Sequence, residues 1–148
     1  MAFTHALHDM REDMHDLVGI NHADAARQAY LALWGTFVVA PLVLGLDKFA
    51  GFITSDWEGF VARWVNTILP GSAADAVMIL GAVEILLAVT VALAPRMGGN
   101  LMAIYLLLAA FSFATMGSAG MMILGIAAFA GAVCAVAMAK LSTTYHHR

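Results

Sequence analysis

Four long apolar runs, about 28–46, 73–94, 99–116 and 120–139, follow one another along this chain, the first two separated by a long segment, 47–72, and the others by short breaks. Each is close to the roughly 20 helical residues that cross about 30 Å of hydrocarbon. The pattern predicts an all-α integral membrane protein, a four-helix transmembrane bundle. Read without a break, residues 101–139 would make one helix of roughly 57 Å, nearly twice the membrane. The TMGSAG stretch at 115–120, with two glycines and two small hydroxyl residues, predicts a break there instead.

Two amphipathic patterns flank the first run. Phe3, Leu7, Met10, Met14 and Leu17 follow a 4-3-4-3 spacing, which is an a/d stripe of about two heptads. They predict an N-terminal amphipathic helix within a leader of residues 1–26. A helix that short is marginal alone and needs a surface to lie on. Its polar face is acidic, with Asp9, Glu12, Asp13 and Asp16 against Arg11. Helices on an anionic inner leaflet are normally basic, so the stripe is assigned to docking on a partner protein. In SDWEGFVARWVNTIL, 55–69, the residues Trp57, Phe60, Val61, Trp64, Val65 and Ile68 recur at helical spacing, and Ser55 with Glu58 makes a capping-box pattern. An interfacial helix between spans 1 and 2 follows, ended by the PGS at 70–72. A lid over a cavity between the spans is the alternative. Ser72 and Asp75 repeat the capping pattern at the start of the second span. In the fourth run Ala127, Gly131, Ala135 and Ala139 form a strip that admits a close neighbouring helix.

Composition and charge refine this picture. Of 148 residues 62% are hydrophobic and only 11% charged, outside the range of soluble domains. The net charge of −3 and the lack of a basic block argue against nucleic acid as a partner. Arg11, Arg27, Arg96, Lys140 and Arg148 fall on one side of the predicted spans, and Lys48 and Arg63 on the other. The positive-inside rule then places both termini in the cytoplasm, across a bacterial-type inner membrane. Tyr30, Tyr105 and Tyr145 fall near the predicted inner boundary, Trp57 and Trp64 near the outer one. The first apolar run follows an acidic stretch and is too long for a cleaved secretory h-region. A membrane domain of residues 27–140 and a short cytoplasmic tail, 141–148, complete the organisation.

Some chemistry is excluded by residue type. Cys134 is the single cysteine, so one chain offers neither a disulfide nor a cysteine-ligated cluster. No histidine lies in the four runs, which rules out a haem between paired imidazoles, and no lysine lies at mid-depth. His5, His8, His15 and His22 crowd the leader, and His8, Glu12 and His15 share one helix side at a spacing that can bind a divalent metal. No ligand from elsewhere in the chain joins them, and they read as a solvated face, with no metal assigned.

Glu84 stands out. It lies eleven residues from Ala73 and ten from Ala94, at the midplane. A charged acid there costs on the order of 3 kcal/mol on insertion scales, and burial favours its neutral form unless a cation or water arrives. Lys48 ends the first span about 16 Å from it by helical rise. Only if the first helix sits deeper do Asp47, Lys48 and Glu84 form a cluster; otherwise Ser112 and Thr36 are the expected hydrogen-bond partners. Two roles stay open: an interhelical hydrogen-bond donor worth about 1 kcal/mol, or a proton-handling or polar-ligand site.

GLDKFAGF at 45–52 and GAVEILLAV at 81–89, on a four-span layout, resemble the DoxX-like membrane proteins over about residues 27–140. That family includes a small subunit of thiosulfate:quinone oxidoreductase. The resemblance implies a small protein of the quinone zone that works with a larger redox partner, with quinone and lipid as the molecules it would meet. Lys48 and Glu84 match the family's polar positions; the acidic leader and the Trp-rich segment depart from its pattern. The expected function is an accessory membrane subunit of a respiratory or quinone-linked redox assembly, docked through the leader to a larger complex. A homo-oligomeric, proton-coupled small-molecule exporter using Glu84 is the alternative. Catalysis at a quinone head group ranks last, since no second acid, base or metal is in sight.

Overall fold

The computed structural model describes residues 2–18 and 25–145, and within 2–18 the side chains of Thr4, Ala6, Leu7, His8, Met10, Arg11, Glu12, Met14 and His15. Phe3, Leu17, His5 and His22 fall outside the described side chains. Six α-helices are described: α1 Ala2–Val18, α2 Ala25–Ala50, α3 Arg63–Ile68, α4 Ala73–Leu93, α5 Pro95–Thr115 and α6 Ala119–Tyr145. Helices α2, α4, α5 and α6 are each long and apolar enough to cross a membrane. They make an antiparallel four-helix bundle in which α2 and α5 each pack on both α4 and α6. The protein is a multi-pass membrane protein, and its outward faces are apolar, with Leu86, Ile104, Phe111, Ile123 and Ile126 exposed as lipid contact demands.

The helix ends follow from local chemistry. Ser72 caps α4, accepting from the Asp75 N–H, while Asp75 accepts from the Ser72 N–H at 2.7 Å; this is the capping box read from the sequence. Ala94 alone separates α4 from α5. Pro95 then starts α5, its missing N–H being one that a helix start leaves unpaired anyway. The TMGSAG break falls as expected, with Gly117 at a φ of 73°. Three spans are longer than the hydropathy windows, and α2 extends past its window at both ends, from Ala25 to Ala50. Helix α5 begins at Pro95, four residues before its window, and α6 runs to Tyr145, so residues 141–145 of the expected tail continue the last span. At that end Arg27 donates to the Tyr145 carbonyl, and the Tyr30 and Tyr145 rings stack with centroids 6.3 Å apart. The start of α2 and the end of α6 are thereby joined.

The large buried side chains Tyr30, Leu31, Val91, Met102 and Met138 all lie in the half of the bundle near this joint. The small-residue strip of α6 packs partly inside: Ala135 and Ala139 are buried against Gly99 of α5, whereas Ala127 faces outward. At the opposite end lies the loop of residues 51–72. The expected short interfacial helix between spans 1 and 2 is present, but it does not run through 55–69 in one piece. A 3₁₀ turn, Trp57–Phe60, stops at Val61, whose ψ of 120° is extended, and α3 follows. The Ser55 capping box does not form; Asp56 holds the cap position of the turn without a side-chain bond. The turn folds this way because Trp57 is drawn inward, as described below.

Helix α1 packs against α2 and α4. Met10 of its stripe sits against the core, while Leu7 and Met14 remain 39% and 52% exposed. Part of the stripe is therefore used within the chain itself.

Candidate functional site

A cluster of polar side chains is buried where α2, α4 and α5 meet. Its foundation is a contact between two glycines. A Cβ added at Gly45 of α2 would stand 2.8 Å from the Gly81 carbonyl oxygen, and one added at Gly81 of α4 would stand 2.9 Å from the Gly45 oxygen. Only glycine permits two helix backbones to approach so closely. The same contact sets the depth of α2: Lys48 starts level with Gly81, only three residues, or about 4.5 Å, along the axis from Glu84.

From there the Lys48 ammonium donates to Glu84 Oε2 at 2.7 Å. The two side chains are only 6% and 10% exposed. The other carboxylate oxygen, Oε1, accepts from the Tyr105 hydroxyl at 2.6 Å. Both distances are in the range of charge-assisted hydrogen bonds. Glu84 thus ties three helices together, with a cation on one oxygen and a phenol on the other.

Asp47, next to Lys48, faces the other way. It is 0% exposed and accepts from the backbone N–H groups of Ile53 at 2.6 Å and Thr54 at 3.2 Å, and from the Trp57 indole N–H at 2.7 Å. These bonds fold the loop back over the end of α2, where Gly51 takes a φ of 62° and donates to the Asp47 carbonyl at 2.6 Å. They also bring the Trp57 ring over Lys48, with the ammonium nitrogen 3.8 Å from the ring centroid. A cation–π contact this desolvated is worth about 2 kcal/mol or more. Asp47, Trp57, Lys48, Glu84 and Tyr105 form one continuous chain of contacts.

The sequence-derived partners are redistributed accordingly. The Lys48 ammonium, expected some 16 Å from Glu84 by helical rise, is bonded to it. The reason is that α2 continues to Ala50 and the glycine contact sinks it alongside α4, the deeper placement that the cluster required. Asp47 joins through Trp57 rather than by touching Glu84. Thr36 and Ser112 are not the partners of Glu84. Thr36 returns its hydroxyl proton to the Ala32 carbonyl of its own helix at 2.8 Å, and Ser112 lies seven residues beyond Tyr105 on α5, about 10 Å toward the loop end.

Tyr105, which the hydropathy windows put near the inner boundary, is a site residue that they do not reveal. A one-residue turn at Ala94 puts Glu84 ten residues before it and Tyr105 eleven after it, so the two share a depth. That counting was open to the sequence once α5 was started at Pro95. The sequence pattern puts Trp57 at the outer interface; its inward turn depends on the fold of the loop and carries no local signal. Trp64, its companion, does stay peripheral, donating to Thr115 Oγ1 at 3.1 Å and touching the Phe111 ring.

Chemically, the cluster offers an ammonium with three donors, one of them given to Glu84, and a phenol whose single proton is given to the same carboxylate. The N–H groups of Lys48 not given to Glu84 are the donors left for an incoming carbonyl or carboxylate oxygen. In α1, His8 and Glu12 approach to 3.4 Å, both exposed, and among the described residues no group of three or more potential metal ligands comes together. A shallow apolar groove between α5 and α6, lined by Ala110, Ala114, Met122, Gly125, Ile126 and Phe129, carries no polar side chain.

Comparison of the chain with protein-family models, with curated proteins and with solved structures finds no match.

Proposed function

We propose that this chain is an accessory membrane subunit of a respiratory or quinone-linked redox assembly, with the Lys48, Glu84 and Tyr105 cluster as its working site. The observation that carries the reading is the cluster itself. An ion pair buried in a membrane bundle recovers its desolvation cost poorly compared with apolar packing of the same volume, and intramembrane ionisable groups mark functional positions by default. The Lys48 N–H groups not given to Glu84 suit the oxygen of a quinone-type head group. The spans hold no histidine for haem, and Cys134 is the single thiol, so the electrons belong to the partner. The resemblance of the Lys48 and Glu84 segments to DoxX-like proteins points the same way.

In this reading the joined ends of α2 and α6 face the cytoplasm of a bacterial-type inner membrane, as the five-to-two distribution of Lys and Arg favours. Helix α1 docks the larger complex through Leu7 and Met14, the described stripe positions left exposed. Purification in mild detergent followed by native mass analysis tests the proposal: a redox partner should co-purify and be lost when Leu7 and Met14 are both changed to Ser. A chain that always runs alone or as a pure homo-oligomer would count decisively against it.

A second reading, a proton-coupled small-molecule exporter, is favoured by one feature: the carboxyl of Glu84 is buried between the spans with Trp57 over its lysine partner at the loop end. It requires a flux driven by a proton gradient that Glu84→Gln abolishes.

A further inference from the structure

The loop that closes the site is held to the bundle at a small number of points. After Gly51, with its positive φ, no helix forms until Trp57. Phe52 and Ile53 point outward and are exposed. The hold on the body is concentrated at two places. Asp47 receives three donors, from Ile53, Thr54 and Trp57, and the 3₁₀ turn rests on α4, with the Trp57 ring over the Lys48 ammonium. Beneath that ring Lys48 is nearly closed off from solvent, although it stands within three residues of the end of α2.

We propose that Gly51–Phe60 is a hinged lid controlling access to the Lys48, Glu84 and Tyr105 cluster from the loop end of the bundle, with Asp47 as its latch and Trp57 as the part that covers the ammonium. The proposal rests on the reading of that cluster as the working site. Lifting the lid exchanges a π face for open space above Lys48, while the latch bonds are replaced by water. Nothing in the helices has to repack, because Lys48 keeps Glu84 as its partner in both positions. Gly51 lets the chain turn at the foot of the lid, and the carboxylate at the hinge gives the closed position its definition.

The chain contains two lysines, Lys48 under the lid and Lys140 exposed near the other end of the bundle, and this supplies an internal control. The full-length protein in lipid nanodiscs is treated with a water-soluble amine-acetylating ester, and the rate at each lysine is read by peptide mass spectrometry. In the wild type Lys48 reacts far more slowly than Lys140. In Trp57→Ala the Lys48 rate relative to Lys140 rises at least about tenfold, the scale of losing a desolvated cation–π contact. Trp57→Phe keeps a ring in the space and loses the bond to Asp47, so it gives the reading if the alanine variant does not fold; there the ratio rises about tenfold, the lower end of the scale of one hydrogen bond to a carboxylate. A ratio that stays at the wild-type value in the folded variants overturns the lid, as does a wild-type Lys48 as reactive as Lys140. The readout needs no partner: a chain that purifies alone would sink the redox-assembly reading and leave the lysine rates unchanged.

Discussion

Gly45→Ala and Gly81→Ala probe the contact on which the site is built. The added Cβ at position 45 would stand 2.8 Å from the Gly81 oxygen, 2.9 Å from Ile85 Cγ1 and 3.2 Å from Glu84 Cβ. At position 81 it would stand 2.9 Å from the Gly45 oxygen, 3.0 Å from Lys48 Cβ and 3.0 Å from Phe49 Cε2. Ordinary contact begins near 3.4 Å, and a backbone oxygen cannot rotate aside. The two helices must therefore separate by roughly half an ångström or more along their closest line, and overpacking of this kind costs about 1–3 kcal/mol. In a bilayer no hydrophobic gain returns the loss, because lipid is as apolar as the side chains it replaces. Equilibrium unfolding in mixed micelles should show each single variant destabilised by about 1–3 kcal/mol. The double variant should cost less than the sum, since the first methyl already opens the space for the second. Two single variants within about 0.5 kcal/mol of wild type, the range of an uninvolved surface position, would refute the close approach of α2 and α4.

Other changes separate the parts of the cluster. Tyr105→Phe removes a hydrogen bond to a charged group and should cost about 1.5–3 kcal/mol in the same unfolding assay; no effect would mean that Glu84 does not depend on the phenol. Asp47→Asn leaves one acceptor oxygen facing three donors, so amide hydrogen exchange should quicken at Ile53 and Thr54 while α4 and α5 keep their protection. Unchanged exchange there would contradict the latch. Thr36→Ala and Ser112→Ala should each leave Glu84→Gln just as damaging as it is in the wild-type background, within about 0.5 kcal/mol, because neither side chain is a partner of Glu84.

The four spans were legible because hydrophobic length is a property of the chain alone: about 20 apolar residues have few alternatives to a membrane helix. The Ser72 and Asp75 capping box was legible for the same reason, being complete within four residues. Glu84 was legible as a site because a carboxylate in an apolar run is costly wherever its neighbours lie. Its partner Lys48 was legible only as one of two options, and Tyr105 was not legible as a partner. The pairing with Lys48 depends on how far α2 slides along α4, which two glycines thirty-six residues apart decide together. The 55–69 segment shows the opposite failure: its helical periodicity is real, but the three donors gathered by Asp47 draw Trp57 inward and break the helix at Val61. Local pattern yields where a buried carboxylate must be satisfied.

A double-mutant cycle between Lys48 and Glu84 tests the buried ion pair most directly. Lys48→Met, Glu84→Gln and the combination are compared with wild type by reversible unfolding in bicelles. Breaking a desolvated pair from either side should cost about 3–5 kcal/mol, and the double variant should cost less than the sum of the two by about 2 kcal/mol or more. Strictly additive costs, or a Glu84→Gln protein as stable as wild type, would show that the two groups do not meet in the folded chain.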